Sequence, residues 1–210
     1  MPKVMMFGDS ITYGCFANAC GWADKLKEHI GRKPMTMDKW WLVYNLGIPG
    51  DTTTGILQRF KVETDARKSD GINVIITLAI GTNDAVYIRS EKSFRTPLPL
   101  FKKNLEKIAK MAGKLSKNVV LLTMPPVDEG LIGPKLPDIP RHLSNKDIER
   151  YNKITKTIAK KHKFYLLDMY NELKKLNYKK LFSDGVHPNA LGYKKMFAIV
   201  KRHLRKKKII

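Results

Sequence analysis

Residues Asn73 to Ile80, NVIITLAI, are apolar at nearly every position. A strand with one wet face alternates polar and apolar side chains. One without alternation is buried on both faces, as a central strand of a parallel sheet is. Four other short runs read as strands: Val4–Phe7, Trp41–Asn45, Asn118–Met124 and Phe164–Asp168. Stretches of helical period separate them. Gly21–Ile30 brings Trp22, Leu26 and Ile30 to one face, and Thr52 or Thr53 caps a helix carrying Ile56, Leu57 and Phe60. Leu100–Leu115 turns Leu105, Ile108, Met111, Ala112 and Leu115 inward. Ser144, with Asp147 three residues on, resembles a capping box and opens a helix to about Lys161. Tyr170–Leu176 reads as a short helix, and Asn189 opens a last one. Strands and helices that alternate five times predict the α/β class, a three-layer α/β/α sandwich on a central five-stranded parallel sheet.

The 210 residues contain no internal repeat and no linker, so a single domain over residues 1–210 is expected. Ala85–Pro99 and Val127–Leu143 read as long surface loops. No apolar run approaches the roughly 18–20 residues of a membrane span. The first strand begins almost at Met1 and leaves no room for a signal peptide, which predicts a cytoplasmic protein. Cys15 and Cys20 have neither C-x-x-C nor zinc spacing, and the five histidines are scattered, so no metal site and no cofactor are expected. Two free thiols is the ordinary reading of the cysteines in a reducing compartment. The alternative is a local disulfide stiffening the loop between them.

The formal charge is +21, from 40 Lys and Arg against 19 Asp and Glu. Such a field draws polyanions, acidic membrane surfaces and anionic substrates alike. The excess peaks from about residue 189 onward, where no acid follows Asp184. The plain reading of that end is a solvated basic helix with a frayed tail.

In a parallel sheet every strand's carboxyl end lies on one edge, where open α/β folds place their ligands. The residues with chemical potential cluster at those ends. Val4–Phe7 runs into Gly8-Asp9-Ser10, a tight turn that delivers one serine. Gly47 and Gly50 follow the second strand, and Gly81 and Asn83 the third. Asp184 and His187 sit three apart after the fifth strand. A nucleophilic serine needs a base, and the base needs an orienting partner. His187 and Asp184 can supply both. Acyl transfer also needs donors aimed at the developing oxyanion, a role open to the N–H groups of Ser10 and Gly50 and the side-chain amide of Asn83. Taken singly, Asp9 or Asn83-Asp84 reads equally well as a helix cap, and Gly47–Gly50 as a plain turn. Coincidence of all of them on one edge favours the chemical reading.

These blocks resemble the SGNH (GDSL-type) hydrolase superfamily. Gly8-Asp9-Ser10-Ile11-Thr12 resembles its first block, Asn45–Thr52 its second, Gly81-Thr82-Asn83-Asp84 its third and Asp184-Gly185-Val186-His187-Pro188 its last, in the family's order over residues 4–193. The resemblance implies a flavodoxin-like SGNH hydrolase fold and a metal-free serine esterase or lipase. Ser10, Asp184 and His187 would be catalytic, Ser10, Gly50 and Asn83 the oxyanion donors, and Asp9, Gly47 and Gly81 supporting. The G-x-S-x-G elbow of the α/β-hydrolases is absent, because Thr12 stands where its second glycine would be. The substrate expected is a small ester or thioester, with an anionic one favoured by the charge. Tyr87, Phe94 and Leu131 are candidates for an acyl pocket. Two alternatives stand beside this reading. One is a carbohydrate O-acetylesterase, favoured if Trp40, Trp41 or Tyr87 meets an open cleft. The other is a non-catalytic module binding polyanions nonspecifically.

Overall fold

The computed structural model describes residues 2–17, 20–32, 40–69, 71–132 and 141–210. Five strands form one parallel sheet: β1 (Lys3–Gly8), β2 (Leu42–Gly47), β3 (Val74–Ala79), β6 (Asn118–Leu122) and β8 (Tyr165–Leu167), in the order β2-β1-β3-β6-β8. The chain leaves β1 for β2 on one side and returns to β3 on the other. The switch in strand order therefore falls at β1, where this architecture opens a crevice.

Alternation along β1 explains the two outer layers. Met5 and Phe7 point to one face and pack with Phe60, Phe101 and Tyr151. These come from α3 (Thr53–Asp65), α4 (Leu98–Leu115) and α6 (Asn145–Lys161). Val4 and Met6 point to the other face, toward Trp22, Leu26, Leu173, Tyr193 and Met196. Those belong to α2 (Trp22–Gly31), α7 (Met169–Lys174) and α8 (Ala190–Lys206). Each of β1's side chains from Val4 to Phe7 is fully buried, as a strand covered on both faces must be. The sheet and its layers are those expected from the sequence. Thr52, Ser144 and Asn189 cap α3, α6 and α8 through their side chains.

Two expectations need correction. The loop read at Ala85–Pro99 contains β4 (Tyr87–Ile88) and β5 (Ser93–Phe94), which join β7 (Arg141–His142) in a small antiparallel sheet. These strands are two residues long, too short to show a period. The region Val127–Leu143 also holds a single turn, α5 (Glu129–Ile132), while 133–140 lie outside the described residues. The basic carboxyl end is not frayed. Leu204 and Ile209 are both buried, and the Ile209 N–H donates to the Leu204 carbonyl at 2.9 Å. Two apolar side chains anchor a segment whose charge pattern suggested a loose tail. Among the described residues, no helix is long and apolar enough to cross a membrane.

Candidate active site

Strand register builds the site. Gly8 of β1 stands level with Gly47 of β2 and Ala79 of β3, so the three following turns emerge side by side. After β1 the chain folds at once into a one-turn helix, α1 (Ser10–Tyr13). The Asp9 carboxylate caps it, accepting from the Ile11 N–H at 3.0 Å. The turn lies flat on its neighbours, and this demands glycine at two places. A Cβ on Gly47 would come within 2.2 Å of the Tyr13 nitrogen, and one on Gly8 within 2.0 Å of the Thr12 hydroxyl oxygen.

Ser10 Oγ lies 2.9 Å from His187 Nε2, and His187 Nδ1 lies 2.7 Å from Asp184 Oδ2. The other oxygen of Asp184 accepts the N–H groups of His187 at 2.7 Å and Val186 at 2.9 Å. The loop holding them is closed by Phe182 pairing with Pro188 and by the Ser183 N–H donating to the His187 carbonyl at 2.8 Å. The residue just before a single-turn helix, α5 (Glu129–Ile132), braces it: the Asp128 N–H donates to the Gly185 carbonyl at 2.8 Å. Partial burial of Asp184 works to raise its pKa, but the His187 N–H, the His187 ring and the Val186 N–H outweigh it and hold the carboxyl below its ordinary value.

On the other side of Ser10, Gly50 sits in an exposed turn with φ of 80°. Only a residue without Cβ takes that conformation freely. Asn83 Nδ2 donates to the Asp51 carbonyl at 2.9 Å, which ties the third turn to the second. An amide nitrogen carries two N–H groups, and this bond uses one of them. Beneath them Asp84 is fully buried and accepts from the Thr53 backbone at 3.1 Å and the Thr53 hydroxyl at 2.5 Å. The first turn of α3, at the positive end of its dipole, thus holds this carboxylate. Gly81 lies at the foot of the same turn with φ of 132°. Asp9 is buried at the heart of the group. Desolvation, with Asp84 and Asp51 nearby, pushes its pKa up to about 7 against the opposing Ile11 N–H.

The structure therefore gathers Ser10, Asp184, His187, Gly50, Asn83, Asp9, Gly47 and Gly81 on one edge. It also adds residues that the motifs did not reveal. Arg59, on α3, donates to the carbonyls of Leu46 at 2.8 Å and Gly8 at 3.3 Å and to Asp51 at 2.9 Å. It thereby stitches the ends of β1 and β2 to the Gly50–Asp51 turn. The sequence signal for it was an arginine two helical turns beyond an aspartate, which is too common to single out. Tyr193 donates its hydroxyl to the Cys15 carbonyl at 2.8 Å and so pins the loop after α1. Cys15 and Cys20 are free thiols. Tyr87 and Phe94 are partly buried and pack edge to face at 5.3 Å, and Phe94 also meets Tyr151 at 5.8 Å. Leu131 is more than half exposed on α5. Trp41 packs against the hydrophobic core and Trp40 is exposed. No group of three or more His, Cys, Asp or Glu able to hold a metal exists among the described residues.

A 2-1-3-6-8 parallel sheet, with a hydroxyl, an imidazole and a carboxylate in series at its carboxyl edge, is the frame of a carboxylic ester hydrolase. The chain belongs to the GDSL-like lipase/acylhydrolase family, whose model matches residues 6–195. Over 210 aligned residues it is 27% identical to the isoamyl acetate-hydrolyzing esterase 1 homolog of Rattus norvegicus, covering 93% of this chain and 78% of the rat protein. A GDSL esterase/lipase of Arabidopsis thaliana is 26% identical, with 97% and 86% covered. Among solved structures, a lipase/acylhydrolase from Enterococcus faecalis superposes with TM-score 0.74 at 27% identity, covering 99% of this chain and 97% of that one. The acetylxylan esterase Axe2 of Geobacillus stearothermophilus shares the fold, with TM-score 0.72 at 22% identity and 97% and 94% covered.

Proposed function

We propose that the protein is a serine esterase that cleaves small carboxylic esters through an acyl-enzyme. The observation that carries this reading is the continuous series from Ser10 Oγ to His187 at 2.9 Å and from His187 to Asp184 at 2.7 Å. His187 Nε2 takes the serine proton as Oγ attacks the carbonyl carbon. Asp184, held ionised, fixes the ring so that Nδ1 keeps its proton and Nε2 faces the serine. Negative charge develops on the carbonyl oxygen, where the N–H groups of Ser10 and Gly50 and the side-chain amide of Asn83 receive it. His187 then gives its proton to the departing alcohol and later activates water to release the acid. Asp9, Gly47 and Gly81 support this arrangement by placing the turns and touch no substrate.

A short acyl group fits the absence of a long lid helix among the described residues. The rat relative's name, isoamyl acetate-hydrolyzing esterase 1 homolog, supports an acetyl-sized acid and an uncharged alcohol. Hydrolysis of p-nitrophenyl esters from acetyl to palmitoyl tests the reading. Activity should peak at the short esters, and Ser10→Ala should remove it by about 10⁴-fold or more. Equal rates in the mutant would sink the assignment of the nucleophile.

A further inference from the structure

Phe16 occupies an unusual place. It follows α1 in the loop Gly14–Ala17, and its backbone lies in the left-handed region at φ of 60°. That conformation is costly for a bulky side chain and persists only where the surroundings hold it. They do so here. The Cys15 N–H donates to the Ser10 carbonyl at 3.0 Å, the Tyr193 hydroxyl donates to the Cys15 carbonyl at 2.8 Å, and Ala17 is buried in the core beneath α2 and α8. The strained loop does not bury the ring. Phe16 is 58% exposed, yet its ring lies 5.0 Å from the His187 imidazole, centroid to centroid, tilted by 39°. An aromatic left in water beside the base contributes little to folding.

Its position decides what it can touch. The oxyanion donors Gly50 and Asn83 stand on the side of Ser10 that faces α3, joined through Asp51. The Phe16 loop is pinned to α8, on the other side. When the tetrahedral intermediate collapses, the bond from carbonyl carbon to alcohol oxygen breaks. The acyl group stays on Ser10 Oγ, and the oxygen takes the proton from His187 Nε2. The alcohol must therefore sit against the imidazole, and Phe16 flanks that ring.

We infer that Phe16 forms one wall of an alcohol subsite, a surface beside His187 that takes the apolar alkyl or aryl group of the leaving alcohol. This rests on the esterase reading above. Phe16 selects the alcohol by contact and leaves the acid portion of the substrate untouched.

The test compares acetate esters of one acid and different alcohols: methyl, isoamyl and phenyl acetate. The variants are Phe16→Gly, which suits the positive φ and so keeps the loop, and Phe16→Tyr, which keeps the ring. Wild type should prefer isoamyl and phenyl acetate to methyl acetate. Phe16→Gly should lose roughly 3- to 10-fold of that preference in kcat/KM, mostly through KM, with an unchanged or raised Tm. Phe16→Tyr should retain it. Unchanged selectivity in Phe16→Gly would overturn the inference. So would an equal loss on all three esters, which would make Phe16 a support for His187 alone. Failure of the esterase reading looks different, because wild type itself would then hydrolyse none of the three.

Discussion

Two carboxylates flank the site and sit in opposite surroundings. Asp9 is buried at the end of β1, 2% exposed, with Asp84 and Asp51 close by, and its pKa is pushed up to about 7. Asp184 lies in a loop whose carboxylate is 41% exposed, and N–H donors hold its pKa below the ordinary value. The side of the site that carries Ser10 is an extension of the sheet, packed by glycines and stitched by Arg59. The side that carries His187 is a short loop hung between a 3-10 turn (Tyr178–Leu181) and α8. The lesson is that burial and donor supply, not proximity to the serine, decide which carboxylate ionises more readily. The carboxylate adjacent to Ser10 in sequence serves as a cap. The distant one, dressed with donors, is suited to orient a base that becomes cationic.

Removing the charge from each carboxylate separates the two roles. Asp184→Asn should lower kcat by roughly 10⁴-fold with little change in KM, because the ring loses the partner that fixes its tautomer. A rise in KM alone would move Asp184 to substrate binding. Asn83→Ala should cost roughly 10²–10³ in kcat as one oxyanion donor disappears, and wild-type rates would remove it from that role. Gly47→Ala probes the rigidity of the Ser10 side. Its Cβ meets backbone at 2.2 Å, so a loss of about 3 kcal/mol in urea unfolding is expected. A loss below about 1 kcal/mol would show that α1 can shift. Asp9→Asn has the smallest effect on rate and shows in stability against pH. A carboxyl with a raised native pKa favours the folded state below its unfolded value near 3.8 and loses that advantage as pH climbs to about 7. The variant should therefore match wild type near pH 4 and exceed it by roughly 2–4 kcal/mol above pH 7. Parallel stability curves would mean that Asp9 titrates in the folded protein as it does in the unfolded chain.

The main architecture was readable because its causes are local or periodic. NVIITLAI can only be a strand covered on both faces, and Thr52, Ser144 and Asn189 announce their helices by capping chemistry. The candidate nucleophile was readable because Ser10 directly follows β1, and the candidate acid and base because Asp184 and His187 stand three apart in a short loop just before the last helix. The small sheet of β4, β5 and β7 was not, since two-residue strands carry no period and exist only through pairing, Tyr87 with Phe94 nearby and with His142 far along the chain. Nor was the folded-back tail, where Leu204 and Ile209 outweigh a run of charge through burial alone.

What the chain encodes by itself is the order of its elements, the α/β class, the placing of Ser10 and Asn83 just after strands, and the pairing of Asp184 with His187 in the loop before the last helix. Those follow from period, caps and breakers within a few residues. Tertiary structure alone decided which polar groups meet and in what state. It set Arg59 across three carbonyl and carboxylate partners, buried Asp9 among acids, supplied donors to Asp184 and laid Phe16 on His187. Such contacts join residues as far apart as Ser10 and His187, 177 positions, and Cys15 and Tyr193, 178 positions. Their energies depend on local desolvation and distance, which exist only once the sheet has closed its register.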